Sequence, residues 1–189
     1  MILNVGDRLM KRIIVLAALG LGLGLTVQTS AQGPQQPVEE HKMLKAEVGT
    51  WKAEMKMWMP GTEEPLIAQG QEVNKMMGDF WVMSDFSASI MGQPFEGKAT
   101  LGYDPVKKKY IGTWCDNMNA HMSFMEGTYD KATKTMTMMV TGTGPDGKPS
   151  KGKNVIENKD DGSRVFTMYM AAPGSDEMKK GMEITYTKK

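Results

Sequence analysis

The sequence has few of the residues that usually perform chemistry. It contains one cysteine, Cys115, and two histidines, His41 and His121. A single cysteine allows no internal disulfide, so the fold must be stabilised by packing. The sequence has no Gly-x-Ser-x-Gly elbow, His-Glu-x-x-His motif or phosphate loop. We therefore predict no catalytic residue and no cofactor, and we expect a protein that is not an enzyme, with an enzyme of unknown reaction as an alternative.

An excess of charge of one sign is also missing. The 23 basic residues less Arg8, Lys11 and Arg12 leave 20 from Gln32 onward, and the 22 acidic residues less Asp7 leave 21. This balance argues against nucleic acid as a partner. After residue 31 no apolar run is long enough to span a membrane. The sequence gives no indication of the oligomeric state.

The long apolar run lies near the start of the chain, over residues 13–25. It follows Lys11 and Arg12 and precedes the small residues Thr29-Ser30-Ala31. This order is typical of a secretory signal peptide. We predict a signal peptide over 1–31, a polar linker over 32–37 and a single domain over 38–189. The protein is then expected to be exported, to the periplasm or the extracellular medium.

One helix and many strands are predicted for the domain. Residues 38–48 favour a short helix, because Pro37 precedes it and Gly49 follows it. Beyond Gly49, turn signals such as Asp146-Gly147 and Asp161-Gly162 recur about every 10–15 residues. About ten strands result, with links too short for crossover helices, so they should pair antiparallel in an up-and-down order. We predict an all-β fold: a closed barrel without bare edges, with one short N-terminal helix. The Gly-Thr-aromatic triplets at Gly49, Gly112 and Gly127 are interpreted as strand starts.

Methionine is unusually abundant, with 20 residues, of which 18 follow residue 31. Met55, Met57 and Met59 share one face of a predicted strand whose other face carries Lys52, Glu54, Lys56 and Trp58. Because the charged residues mark that other face as the outer one, we expect all three methionines to face the barrel interior. Methionine is flexible and adapts to ligands of varied shape. We therefore predict that a small apolar ligand binds inside the barrel, and that the residues in contact with it are Met55, Met57, Met136, Met138, Phe166 and Met168. A packed barrel that acts as an interaction module is an alternative.

Thioethers also bind Cu(I), so a periplasmic copper-handling protein is a second alternative. The candidate ligands are Met118, His121, Met122 and Met125, which are close in sequence. They cannot all share one face of a single strand, which argues against this site. We expect His121 at the surface or rim, His41 to be solvated on the helix, and Cys115 to be a small buried apolar residue.

Two resemblances sharpen the fold prediction. A short helix followed by Gly49-Thr50-Trp51 resembles the opening of calycin barrels, the lipocalins and their relatives. That resemblance implies that Trp51 plugs the closed end and that Arg164 covers it. The stretches "HKMLKAEVGTW", "GDFWVMSDF", "FEGKATLGYDPVKKKYIGTWCDN" and "MEGTYD" also look like a bacterial secreted family known as domain of unknown function 1579. This family implies a calycin-like barrel and assigns no functional residue.

Overall fold

The computed structural model describes residues 35–59, 61–144, 147–171 and 175–189. The predicted signal peptide, the first residues of the predicted linker and Asp146 lie outside the described residues. Residues 35–38 are neither helix nor strand. Among the described residues, no helix combines the length and the apolar character that crossing a membrane requires.

The described part of the chain forms one helical segment and ten strands. The helical segment consists of α1 (Glu39–Leu44) and a 3-10 turn (Lys45–Glu47). The strands are β1 (Gly49–Met57), β2 (Leu66–Met77), β3 (Trp81–Ile90), β4 (Gln93–Asp104), β5 (Lys109–Asp116), β6 (Asn119–Asp130), β7 (Thr135–Thr143), β8 (Pro149–Asn158), β9 (Arg164–Ala171) and β10 (Met178–Lys188).

Each strand pairs antiparallel with the next one in sequence, and β1 pairs with β10 to close the barrel. The predicted fold class is therefore confirmed. Closure follows from the register, because Trp51 to Met57 of β1 pair with Lys188 to Met182 of β10 while their other edge pairs with β2. All backbone edges of the sheet are then satisfied within one molecule.

The helical segment lies across one end of the barrel, which we call the helix end. His41 fixes it there: its Nδ1 accepts a hydrogen bond from the Val38 backbone N–H at 3.0 Å, and its Nε2 lies 3.0 Å from the Tyr103 carbonyl oxygen. The imidazole also packs edge-on against Phe80 and Tyr103. His41 is 2% exposed, so the expectation that it is solvated was wrong. A short helix needs such tertiary contacts to be stable.

Tyr110, near the start of β5, contacts the helix α1 with its side chain. Its hydroxyl donates towards the Glu40 carbonyl oxygen at 3.4 Å and contacts Met43 Sδ at 3.5 Å. Burial, with the charge of Glu40 next in size, raises the pKa of Tyr110 to about 12. The folded protein therefore holds this proton more tightly than the unfolded chain, in which a tyrosine has a pKa of about 10.

This difference predicts an alkaline loss of stability. The contribution of Tyr110 is complete below pH ~10 and is lost as the pH rises towards 12, because the unfolded chain gives up the proton first. We expect the free energy of unfolding to fall by roughly 2–3 kcal/mol across that window through this group. Urea unfolding at several pH values measures it, with Tyr110→Phe as the control. Equal alkaline slopes in the two proteins would contradict the assignment.

The inward faces follow the predicted alternation with one exception. Met55 and Met57 of β1 face inward, together with Trp51 and Ala53, and pack in one core cluster. Met59 is 53% exposed, so its predicted inward position was wrong. The reason is that β1 ends at Met57, which pairs with Leu66 and Met182. Met59 lies beyond this ladder, in a turn where its carbonyl oxygen accepts hydrogen bonds from Thr62.

Candidate ligand site

The inward side chains are buried to different depths at the two ends of the barrel. Near the helix end several are almost fully buried, as for Val82, Tyr110 and Met138, and they are surrounded by partly buried side chains such as Leu101 and Ile156. At the opposite end, which we call the mouth, inward-facing apolar side chains are only half-buried or more exposed. The mouth residues are Met57, Ile90, Phe95, Trp114, Phe166, Met168, Met170 and Met182. The barrel is therefore sealed at the helix end and its apolar lining is accessible towards the mouth.

The six predicted ligand-binding residues divide between these two regions. Met55, Met136 and Met138 lie in the sealed part and are buried against other core side chains. Met57, Phe166 and Met168 face inward in the mouth half and are half-buried. They are neighbours across strands, since Met182 lies opposite both Met57 and Met168.

Sequence reasoning missed an aromatic group on the opposite wall of the mouth half. Trp114 stacks on Phe95 with ring centroids 6.4 Å apart and contacts Phe86 edge-on at 6.3 Å. Its indole lies over Gly97, where a Cβ atom would come within 2.3 Å of the ring. Trp114 Nε1 donates to Asp116 Oδ2 at 2.8 Å. The signal in the sequence was a strand glycine, Gly97, that lies diagonally across from Trp114 on the next strand, and it is visible only once the register is known, in which Gly97 pairs with Asp116 and Ala99 with Trp114.

The copper candidates occupy different surroundings. Met118 is 72% exposed in the connection between β5 and β6, and His121 and Met122 are also exposed. Met125 faces inward, where Asn154 Nδ2 lies 3.5 Å from its sulfur. Met122 and Met125 are therefore on opposite faces of β6. In the part of the chain that the structure describes, no group of three or more His, Cys, Asp or Glu side chains is placed to hold a metal.

Cys115 is half-buried on the outer face of β5, opposite Lys98 on β4. The expectation of a buried core cysteine was wrong. Its neighbour Trp114 is the residue that takes the inward position, so the alternation of the strand places the thiol outside.

The helix end is closed by a buried ionic cluster. The Arg164 guanidinium lies between two rings, 4.5 Å from the Trp51 centroid and 4.3 Å from that of Tyr186. It forms ion pairs with Glu47 and Glu72. Burial opposes the charge on Arg164, but the two carboxylates outweigh that effect and raise the pKa of the guanidinium. The cover over Trp51 that the calycin resemblance implied for Arg164 is confirmed.

Neighbouring polar groups extend this cluster. Trp51 Nε1 donates to the Glu47 carbonyl oxygen at 2.9 Å, and Asn74 Nδ2 donates to the same oxygen at 3.1 Å and to Glu72 Oε1 at 2.6 Å. Burial first, and then the charge of Glu72, raise the pKa of Tyr186 well above its ordinary value. The cluster ties the 3-10 turn to β1, β2, β9 and β10, so it is a structural closure rather than a ligand site.

The closed ten-stranded meander, with one helix over an end and an arginine stacked on the first-strand tryptophan, defines a calycin-like barrel protein. Residues 36–188 match the model of a family described as "Protein of unknown function (DUF1579)". The chain belongs to that family.

Comparison of structures agrees with the fold. The barrel is similar to the crystal structure of Rv2717c from M. tuberculosis, with a TM-score of 0.60 over 82% of this chain and 99% of that chain. The two sequences are 12% identical, so this similarity concerns the fold alone. A search of curated proteins found no significant match.

Proposed function

We propose that the protein binds a small hydrophobic molecule in the mouth half of the barrel. The observation that carries this proposal is the accessible surface of the inward apolar side chains at the mouth. Inward methionine and phenylalanine side chains that would be buried in a filled barrel, among them Met57, Phe166 and Met168, keep accessible surface. Concave apolar surfaces inside barrels of this size are where such proteins hold small ligands.

The apolar character continues around the mouth. Met59, Met91 and Met118 lie in or beside three connections at this end, and all three are exposed. Met170, which ends the inward row of β9, is exposed as well. An apolar rim of this kind lowers the cost of bringing an apolar molecule to the opening.

The expected affinity is moderate. A ligand that buries about 300 Å² of apolar surface gains roughly 7 kcal/mol at ~25 cal/mol per Å², and part of that gain is lost to the cost of association. Flexible thioether side chains can adjust to different ligand shapes, so we expect selectivity for size and polarity rather than for one exact shape.

Filling the mouth tests the proposal. We expect Met168→Trp to reduce the affinity for the neutral apolar dye Nile red at least about tenfold, because the larger side chain occupies the space that the ligand needs. The measurement is a fluorescence titration of the purified protein with Nile red. Circular dichroism and thermal melting report whether the variant retains the fold.

The matched control is Met139→Trp, which makes the same substitution at an exposed outer position of β7. It should leave the dye affinity unchanged. If wild-type protein does not bind Nile red or another neutral apolar molecule, or if the two tryptophan variants bind equally well, the proposed site is wrong.

Export is part of the proposal. It rests on the basic, apolar and small-residue segments of residues 1–31. N-terminal sequencing of the protein recovered outside the cytoplasm is expected to begin at Gln32, and recovery only from the cytoplasm would contradict it.

A further inference from the structure

Three buried side chains of the described residues keep a polar atom without a hydrogen-bond partner: Asn74 Oδ1, Arg164 Nε and Asn154 Oδ1. Asn74 and Arg164 belong to the helix-end cluster, where their other polar atoms are paired with Glu47 and Glu72, whereas Asn154 lies outside it. Asn154 of β8 is 8% exposed. Its Oδ1 is buried and has no hydrogen-bond partner among the described residues. Its Nδ2 contacts only a thioether sulfur, Met125 Sδ at 3.5 Å, and sulfur of this kind is a weak acceptor. Turning the amide round exchanges the two ends without providing a partner for both.

Asn154 lies between the sealed part of the core and the mouth half. Across the sheet it lies opposite Met138 on β7 and Met168 on β9. Met138 is 1% exposed and belongs to the sealed part of the core, whereas Met168 is half-buried in the mouth half. The amide therefore sits at the boundary between the two regions.

An unpartnered buried amide is costly, and an apolar residue of similar size would fill the same place without that cost. Unlike the polar groups of the helix-end cluster, Asn154 has methionines as its neighbours: Met138 and Met168 across the sheet and the sulfur of Met125. A buried amide in these surroundings becomes favourable when a second molecule supplies the missing donor and acceptor.

We propose that Asn154 is the polar floor of the ligand site and that the ligand is amphipathic, with an uncharged head that both donates and accepts a hydrogen bond, such as an aliphatic alcohol. This inference rests on the proposed function. The hydroxyl donates to Oδ1 and accepts from Nδ2, while the chain extends along Met168 and Phe166 towards the mouth. A carboxylate offers acceptors only and would need a buried cation.

No spare cation is positioned for such a carboxylate in the helix-end cluster. Arg164 is already paired with two carboxylates, Glu47 and Glu72. The site is therefore expected to prefer the alcohol over the fatty-acid anion of equal length.

The test compares three probes of equal chain length: 1-decanol, decyl methyl ether and decanoate at pH 8. Each is titrated against Nile red bound to the wild-type protein. The ether accepts a hydrogen bond but has no donor. We expect 1-decanol to bind about five- to tenfold more tightly than the ether, the change expected from one hydrogen bond, and decanoate to bind more weakly than 1-decanol.

The variant Asn154→Leu should bind 1-decanol and the ether equally, and its melting temperature should equal or exceed that of the wild type. Asn154→Ser keeps a donor and an acceptor, so it should retain part of the preference for the alcohol. This pair separates a hydrogen-bonding role from a packing role.

The outcomes are distinct. If the dye binds but wild-type protein treats alcohol and ether alike, or if Asn154→Leu keeps the preference, the inference fails while the proposed function stands; Asn154 is then satisfied by a buried water. If neither the dye nor any of the three probes binds, both are overturned.

Discussion

Replacing Arg164 with methionine is expected to reduce the free energy of unfolding by about 3–5 kcal/mol, the cost of removing one partner from a buried ion-pair group. The carboxylates of Glu47 and Glu72 would remain, mostly buried and facing an apolar side chain. The rings of Trp51 and Tyr186 would lose the cation packed between them. For a domain of this size the melting temperature should fall by roughly 10 °C.

Three further variants identify which part of the arginine matters. Arg164→Lys retains the charge but lacks the planar fork, so it should recover only part of the loss. Combining Arg164→Met with Glu47→Gln and Glu72→Gln should recover much of it, because no buried charge is left unpaired. Lys42→Met breaks an exposed ion pair with Glu39 and should leave the melting temperature unchanged. A drop for Arg164→Met no larger than that for Lys42→Met would contradict the role assigned to the cluster.

The helix-end cluster shows how far sequence reasoning reached. The resemblance to calycin barrels linked Trp51 to Arg164. It did not link Arg164 to Glu47 and Glu72, which are 117 and 92 residues away in the chain. Alternation along a strand places a residue on a face, but pairing between distant strands depends on the closed register, which no local pattern encodes.

The ligand site was predicted in part for a similar reason. A period of two correctly placed Met55 and Met57 in the interior but assigned them the same role. Depth along the barrel separates them. The helical segment, held by His41, covers one end of the barrel. This decides that the layers near the helix end are sealed and that those near the mouth are accessible. Trp114 and Asn154 were missed because their roles depend on contacts with residues on other strands, which the local sequence pattern does not specify.

The glycines of the Gly-Thr-aromatic triplets give the clearest correction. Gly49 does begin a strand, as interpreted, but Gly112 and Gly127 lie inside β5 and β6. Both face inward, at positions where a neighbouring strand comes very close. A Cβ atom on Gly112 would lie 2.4 Å from the Thr100 carbonyl oxygen. Glycines inside strands often occur where a closed barrel bends and neighbouring strands come close. The triplets at Gly112 and Gly127 therefore indicate such positions, and only the triplet at Gly49 marks a strand start.

Gly127 provides the second prediction with a large effect. Its Cβ would lie 1.9 Å from the Thr137 carbonyl oxygen and 2.7 Å from Met138 Cα, both backbone atoms of β7. Since Met138 is packed in the sealed core, β7 cannot retreat without opening the β6–β7 pairing. We expect Gly127→Ala to cost about 3 kcal/mol or more, at the upper end of overpacking effects.

Gly181→Ala is the matched control, because its Cβ would meet only Met168 Cε and Met170 Sδ, each at an ordinary 3.9 Å. That variant should stay within about 0.5 kcal/mol of the wild type. Urea unfolding followed by circular dichroism compares the two on one scale. Equal midpoints for Gly127→Ala and Gly181→Ala would mean that β6 and β7 are free to separate at this point. The β6–β7 pairing would then be more deformable than its register implies. The sealed core sets the floor of the proposed ligand site, so its extent would have to be reassigned.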